Sequence, residues 1–123
     1  MEQLRSPGLQ LVGIGVVHNA IGLLLGREPI AAILAGGYTG AVDVAFDRMA
    51  IFWFLWFGWV LMLLGGAVRA IEPQTVPRWL VAGIAAMALG GAAAMPLSGF
   101  WLALIPVVGM LLPQPVRSSS TAA

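Results

Sequence analysis

Two long stretches without a charged side chain constrain the fold of this chain more than any other feature. Residues 9–26 and residues 49–68 contain no Asp, Glu, Lys or Arg. As α-helices rising 1.5 Å per residue, they would be about 27 and 30 Å long. The hydrocarbon core of a bilayer is roughly 30 Å thick, so both stretches predict membrane-spanning helices.

The composition agrees with lipid as the solvent. Of the 123 residues, 60% are hydrophobic and 9% are charged, and the mean hydropathy is +0.96. Soluble domains average about 45–50% apolar and about 25% charged residues. The chain has no cysteine, which excludes disulfides, thiolate metal sites and thiol catalysis. The formal charge of +1 gives no reason to expect nucleic acid as a partner.

Four apolar segments predict an all-α, integral membrane four-helix bundle built from a single domain, residues 1–116. The predicted spans cover about residues 9–26, 49–68, 78–95 and 100–112. The fourth span is short, and Pro106 within it is expected to bend the helix. Residues 117–123 have little apolar content and are expected to form a disordered tail.

The segment between the first two spans predicts an interfacial or re-entrant piece. Residues 29–37 are apolar but too short to cross a bilayer. Gly36, Gly37 and Gly40 then interrupt any long helix. We expect a short helix followed by a glycine turn that leads into the second span.

Small residues form stripes on two of the predicted helices. The stripes comprise Gly15, Gly22 and Gly26 in the first span, and Ala82, Ala86, Gly90 and Ala94 in the third. Helices in lipid associate by close packing, which small side chains permit. We expect both stripes to pack inside the bundle, and a homodimer is the alternative use for them.

His18 and Asn19 are strongly polar side chains near the middle of the first span. Helical spacing puts them on the side of Gly15 and Gly22, so they are expected to point into the bundle. They are candidate catalytic residues, because an intramembrane ionisable group can serve a ligand, a proton or a substrate. The alternative is structural, with both side chains hydrogen bonding across helices to fix the register.

Asp43 and Asp47 are the remaining candidate catalytic residues. They are four positions apart, so on a helix they would share a face and could bind a cation or exchange protons. They could equally be solvated interfacial charges, with Arg48 nearby to pair. No metal site is expected, because His18 is the single histidine and lies well below these carboxylates. No cofactor motif or catalytic signature occurs.

The distribution of arginine predicts the orientation. Four spans place both termini on the same side of the membrane. That side carries Arg5, Arg69, Arg78 and Arg117, whereas the other carries Arg27 and Arg48. Cytoplasmic loops are enriched in Lys and Arg, so both termini are expected in the cytoplasm, with the chain in the inner, plasma membrane.

Several short patterns resemble a family of short bacterial four-span membrane proteins of unknown function. The patterns are Gly15-x-x-His18 with Gly22, Phe52-Trp53 with Gly58 and Gly65-Gly66, and Pro96-x-Ser98-Gly99-Phe100-Trp101. The resemblance implies a four-helix membrane protein and supplies no reaction. The DoxX-like proteins are similar in span count alone. The small multidrug transporters depend on a glutamate in span one, which this chain lacks.

Three functional hypotheses follow, and the sequence leaves all of them open. The first is a structural or accessory membrane protein that binds a lipid or a protein partner. The second is a membrane enzyme acting on an isoprenoid-like or lipid substrate in the bundle core. The third is a small dimeric transporter in which His18 carries protons. The expected partners are therefore membrane lipid and a second copy of the chain.

Overall fold

The computed structural model describes residues 6–72 and 75–112, and in these ranges the chain forms helices and no strand. The α-helices are α1 (Pro7–Leu25), α2 (Arg27–Ala35), α3 (Phe46–Ile71), α4 (Arg78–Ala94) and α5 (Leu104–Leu111), and a 3-10 helix (Gly99–Ala103) directly precedes α5. The all-α prediction is thereby confirmed. The predicted tail, residues 117–123, lies outside the described residues.

Two of these helices are long and apolar enough to cross a membrane. They are α1, with a mean hydropathy of 1.7, and α3, with 2.0. The apolar helix α4 and the continuous unit of the 3-10 helix and α5 are shorter. The two predicted spans with the longest uncharged stretches therefore correspond to the two longest helices, and α3 extends beyond its predicted bounds at both ends.

Glycine brings α1 and α3 into close contact along their lengths. A Cβ built on Gly8 would lie 2.6 Å from the carbonyl oxygen of Gly65, and a Cβ on Gly65 would lie 2.7 Å from that of Gly8. Further along, a Cβ on Gly15 would lie 2.8 Å from the carbonyl oxygen of Gly58. The predicted stripe on the first span therefore packs inside the fold. We call this α1–α3 contact the glycine seam.

The buried core at one end of the molecule is shared by four helices. The buried core contains side chains from α1, α3, α4 and α5, namely Leu11, Val68, Val81, Ile84 and Val107. At the other end of α4, the ring of Phe100 lies against Gly91, where a Cβ would overlap it. α1 is thus the central helix, with α3 on one side and α5 on the other.

The small-residue stripe of α4 faces outward, so the expectation that it packs inside the bundle is wrong for the single chain. The stripe residues Ala82, Ala86, Gly90 and Ala94 are all exposed. α4 instead buries Val81, Ile84, Ala88 and Ala92. Val81 and Ile84 on the inward face have more atoms than alanine or glycine and make more dispersion contacts with the core.

The segment between α1 and α3 contains the expected short helix and glycine turn. α2 ends in a Schellman motif, in which the Gly37 N–H donates to the Leu34 carbonyl and the Tyr38 N–H donates to the Ile33 carbonyl. Gly37 has φ +82°, where glycine is favoured. Tyr38 follows with φ +67°, which is uncommon for a residue with a side chain.

The fourth predicted span differs from a bent α-helix. It begins as the 3-10 helix, where Ser98 Oγ accepts a hydrogen bond from the Phe100 N–H. Pro106 is then the third residue of α5. In the first turn of a helix the backbone N–H groups have no partner within the helix, so a proline there removes no hydrogen bond. Pro106 lies in the first turn of α5 and is not expected to bend it.

The glycine seam yields a prediction with a matched control one residue away. Gly65→Ala should lower the free energy of unfolding by about 1–3 kcal/mol, because the new Cβ meets rigid backbone of α1. Gly66→Ala should leave stability unchanged or raise it by up to about 1 kcal/mol, because that Cβ would meet nothing within 4 Å and alanine favours the helix. Unfolding of both variants in mixed micelles, followed by circular dichroism, measures the difference. Equal stability of the two variants would contradict the seam.

Candidate functional site

His18 joins α1 to the backbone of α3. Its Nε2 lies 2.9 Å from the Phe54 carbonyl oxygen. Its ring stacks on Phe54 with centroids 3.8 Å apart and planes at 14°, and meets Phe57 edge-on at 5.7 Å. A carbonyl oxygen can only accept a hydrogen bond, so Nε2 is the nitrogen that carries a proton. The imidazole is therefore held by one polar and two aromatic contacts.

Asn19 lies beside His18 in the same seam. Its Oδ1 is buried and, among the described residues, has no hydrogen-bond partner. The amide packs so closely on Gly58 that a Cβ at that position would overlap it. Because Gly58 has no side chain, the Asn19 amide can pack directly against α3 at this position. His18 and Asn19 come together as the sequence predicts, and both contact α3.

The structure separates the two candidate carboxylates. Asp43 lies in the irregular segment before α3, whereas Asp47 is the second residue of that helix, and both are exposed. They therefore do not share a helix face, which corrects the expectation drawn from their spacing. Arg48 Nη1 donates to the Ala41 carbonyl oxygen at 3.2 Å. Within residues 6–72 and 75–112 it forms no ion pair with either aspartate.

A polar cluster that the sequence analysis missed joins the start of α1 to the end of α3. The Glu72 carboxylate accepts hydrogen bonds from the Ser6 hydroxyl, at 2.7–2.8 Å, and from the Gly8 N–H, at 2.6 Å. Arg69 lies 3.4 Å away, and the Glu72 side chain is 15% exposed. A carboxylate is favoured at a helix N-terminus, where N–H groups lack partners. We call this arrangement the Glu72 clamp.

One available signal pointed toward the clamp. Ser6-Pro7 is a helix-start pattern, and the Ser6 hydroxyl also accepts a hydrogen bond from the Leu9 N–H. The sequence could not reveal that a residue 66 positions later would complete the cap.

An apolar groove lies between α2 and α3, and we call it the aromatic groove. Its volume is about 210 Å³. The lining side chains from α2 and the turn after it are Ile30, Ile33, Leu34 and Tyr38, and those from α3 are Ile51, Phe52, Leu55, Trp56 and Trp59. The phenol of Tyr38 and the two indole N–H groups supply the polar side-chain atoms of this lining.

A second apolar groove, of about 190 Å³, lies between α3 and α4. Its lining includes Leu64, Trp79 and Gly83. His18 and Asn19 line neither of these two grooves. The polar pair and the concave surfaces are therefore separate features of the molecule.

No group of three or more His, Cys, Asp or Glu side chains that could hold a metal ion occurs among the described residues. His18, Asp43 and Asp47 are accordingly not brought together there. The features that the described residues do provide are hydrogen bonds between helices and two apolar grooves.

These features define the class of protein: an all-helical chain with two helices able to cross a membrane and polar groups that connect helices. The chain belongs to a family of unknown function, DUF6463, whose model matches residues 2–117. This agrees with the resemblance to an uncharacterised family drawn from the sequence patterns. No curated protein and no solved structure matches the chain.

The Glu72 clamp makes a testable contribution to stability. Glu72→Gln should lower the free energy of unfolding by about 1–3 kcal/mol, because the amide replaces charge-assisted hydrogen bonds with weaker ones. Hydrogen exchange should quicken at the first-turn amides of α1, beginning with Gly8. Glu28→Gln is the control, since Glu28 is exposed and lies on α2. Unaltered exchange at Gly8 in Glu72→Gln would rule out the clamp.

His18 and Asn19 should differ in their contributions to stability. His18→Phe keeps an aromatic ring in the seam and should cost about 0.5–1.5 kcal/mol for the lost interhelical hydrogen bond. His18→Ala also loses the stacking and should cost about 1–3 kcal/mol. Asn19→Ala should cost less than His18→Ala, because its buried Oδ1 has no partner among the described residues. Denaturation in micelles gives the order, and a reversed order would refute the assignment.

Proposed function

We propose that this protein is a multi-pass membrane protein of the bacterial inner membrane with a non-catalytic, lipid-binding accessory role. The observation that carries the proposal is the apolar exterior of its two long helices. Only 22% of the best apolar window of α1 and 28% of that of α3 is buried inside the fold. The core helix of a soluble protein is mostly buried, whereas most of each of these windows is not buried.

The exposed side chains are large and hydrophobic. Leu25 is 82% exposed and Leu63 is 72% exposed, and both belong to helices that could cross a bilayer. Exposure of apolar surface to water costs about 25 cal/mol of free energy per Å² relative to burial. Hydrocarbon surroundings remove that cost. Lipid contact therefore accounts for the outer surface of α1 and α3.

The lengths of α1 and α3 support two crossings, and the proposed third and fourth crossings are assigned to the shorter apolar α4 and to the 3-10 helix with α5. α3 is about 39 Å long and α4 about 26 Å, at 1.5 Å per residue. The 3-10 helix and α5 together span about 22 Å, counting about 2 Å per residue in the first part. The exposed indoles of Trp79 and Trp101 lie near the starts of their helices, where aromatic side chains favour the interface.

The accessory role is supported by how the polar residues are used. A membrane enzyme acting at His18 would need a cavity that reaches the imidazole, and neither groove described above is lined by it. Nε2 of His18 donates to the Phe54 carbonyl oxygen, which joins the imidazole to the backbone of α3. A structural role for His18 and Asn19 agrees with both observations.

The arginine bias supports a cytoplasmic location for both termini and for the loop between α3 and α4. A homodimer remains a prediction. The exposed face of α4, with Ala82, Ala86 and Gly90, is the surface on which a second helix could approach most closely.

Fractionation and cysteine labelling test the membrane proposal. The full chain should remain in membranes after an alkaline carbonate wash. Because the natural chain has no cysteine, single cysteines at exposed Thr39 and Thr75 are unambiguous reporters. In intact spheroplasts a membrane-impermeant maleimide should label Thr39→Cys and leave Thr75→Cys unlabelled.

Lysis is the matched control, after which both cysteines should react. Recovery of a folded, monodisperse chain without detergent would refute the membrane location. Labelling of Thr75→Cys alone in intact spheroplasts would reverse the orientation and leave the membrane location standing.

A further inference from the structure

A positively charged side chain lies on the α3 face that forms the aromatic groove. Arg48 precedes Phe52, Leu55 and Trp59 by four, seven and eleven positions, and all three line the groove. On a helix this spacing places the four residues along one face. Arg48 therefore lies one helical turn beyond the lining, toward the start of α3.

Hydrogen bonds fix the guanidinium at the Tyr38 end of the groove. Arg48 Nη1 donates to the Ala41 carbonyl oxygen at 3.2 Å, and the Ala41 N–H donates to the Tyr38 carbonyl oxygen at 3.1 Å. Tyr38 itself lines the groove. Two hydrogen bonds thus connect the guanidinium, through Ala41, to the backbone of a residue that lines the groove.

Arg48 retains capacity for an anion. A guanidinium carries five N–H donors, and in Arg48 one of them donates to the Ala41 carbonyl oxygen. No carboxylate in the described parts of the chain lies within 4.0 Å of it. Since Arg48 is half-buried, an anion bound there would be only partly screened by water.

We propose that the aromatic groove binds one acyl chain of a glycerophospholipid and that Arg48 binds its phosphate. The inference rests on the proposed membrane location, which puts the groove in contact with lipid. Charge complementarity selects the headgroup, because a planar guanidinium pairs with phosphate through two parallel hydrogen bonds. Tyr38, whose phenol is a polar group, also lines the groove.

The volume of the aromatic groove is suited to a single acyl chain. The groove, at about 210 Å³, is somewhat larger than the roughly 150 Å³ apolar cavity that accepts benzene. It therefore holds part of one acyl chain, and the rest of the lipid remains in the bilayer. Its open side, toward the exposed Leu34 and Trp56, lets the chain enter laterally.

Fluorescence quenching by brominated lipid tests the site. In the full chain, replacing Trp53, Trp79 and Trp101 by Phe leaves Trp56 and Trp59 as the only indoles. Dioleoylphosphatidylglycerol with dibrominated chains, titrated into the protein in dodecyl maltoside, should quench them saturably at low lipid mole fraction. Dibrominated diacylglycerol, which has the same chains and no phosphate, should require at least tenfold more lipid.

Four variants separate the headgroup contact from the chain contact. Arg48→Gln should weaken the phospholipid response about tenfold, whereas Arg27→Gln, at an exposed arginine that begins α2, should not change it. Leu34→Asp should abolish saturable quenching by placing a charge at the rim. Val44→Asp is its control, because Val44 is exposed and does not line the groove.

Each alternative result overturns the inference in a distinct way. Equal quenching by both brominated lipids would show chain contact without phosphate recognition. An unchanged response in Arg48→Gln would exclude the guanidinium. Disulfide-linked dimers of Leu34→Cys that suppress quenching would assign the groove to a second copy. A membrane-embedded chain without saturable quenching would refute this inference alone, whereas a detergent-free soluble chain would refute the proposed function itself.

Discussion

The fold depends on the close approach of two backbones along the glycine seam. Gly8 faces Gly65, and Gly15 packs against the carbonyl of Gly58, so α1 and α3 are separated by little more than main-chain atoms. In hydrocarbon, apolar side chains gain nothing by leaving the solvent, and contact between helices must come from dispersion and hydrogen bonds. His18 adds the latter by donating to an α3 carbonyl at the centre of the same seam.

Polar groups in the described chain are used mainly at helix junctions. The Glu72 carboxylate completes the cap of α1, and Arg48 is anchored by the loop carbonyl of Ala41. Trp101 donates its indole N–H to the Pro96 carbonyl at the turn before α5. These contacts suit a hydrocarbon environment, in which a polar group needs a partner or an interface, and the buried Asn19 Oδ1 is an exception among the described residues. The two grooves are lined mainly by apolar side chains. The inferred lipid site depends on this apolar lining.

The sequence predicts the features that depend on local pattern. The uncharged stretches mark α1 and α3, Gly36 and Gly37 mark the end of α2, and the stripe beginning at Gly15 marks a packing face. It mispredicts the inner face of α4, because small residues suit either a buried contact or an open surface. The spacing of Asp43 and Asp47 would give them a shared face if both lay on a helix, but the extended backbone at Ala45 starts α3 after Asp43.

What the sequence misses is contact between distant residues. Nothing local associates Glu72 with Ser6, because the pairing requires α3 to run back along α1 for its full length. The same holds for Arg48 and the Ala41 carbonyl, whose hydrogen bond depends on the path of the irregular segment before α3. The sequence therefore predicts which polar residues belong to the candidate site. It does not predict their geometry, because that depends on how the helices are connected and packed.

The position of the Glu72 clamp also bears on biogenesis. The seam and the clamp are both complete within residues 6–72, before α4 begins at Arg78. As a ribosome delivers the chain from its N-terminus, the first helical pair can close and latch while the later helices are still being synthesised. In the complete fold, Val81, Ile84 and Val107 of the later helices pack in one core with Leu11 and Val68 of this pair.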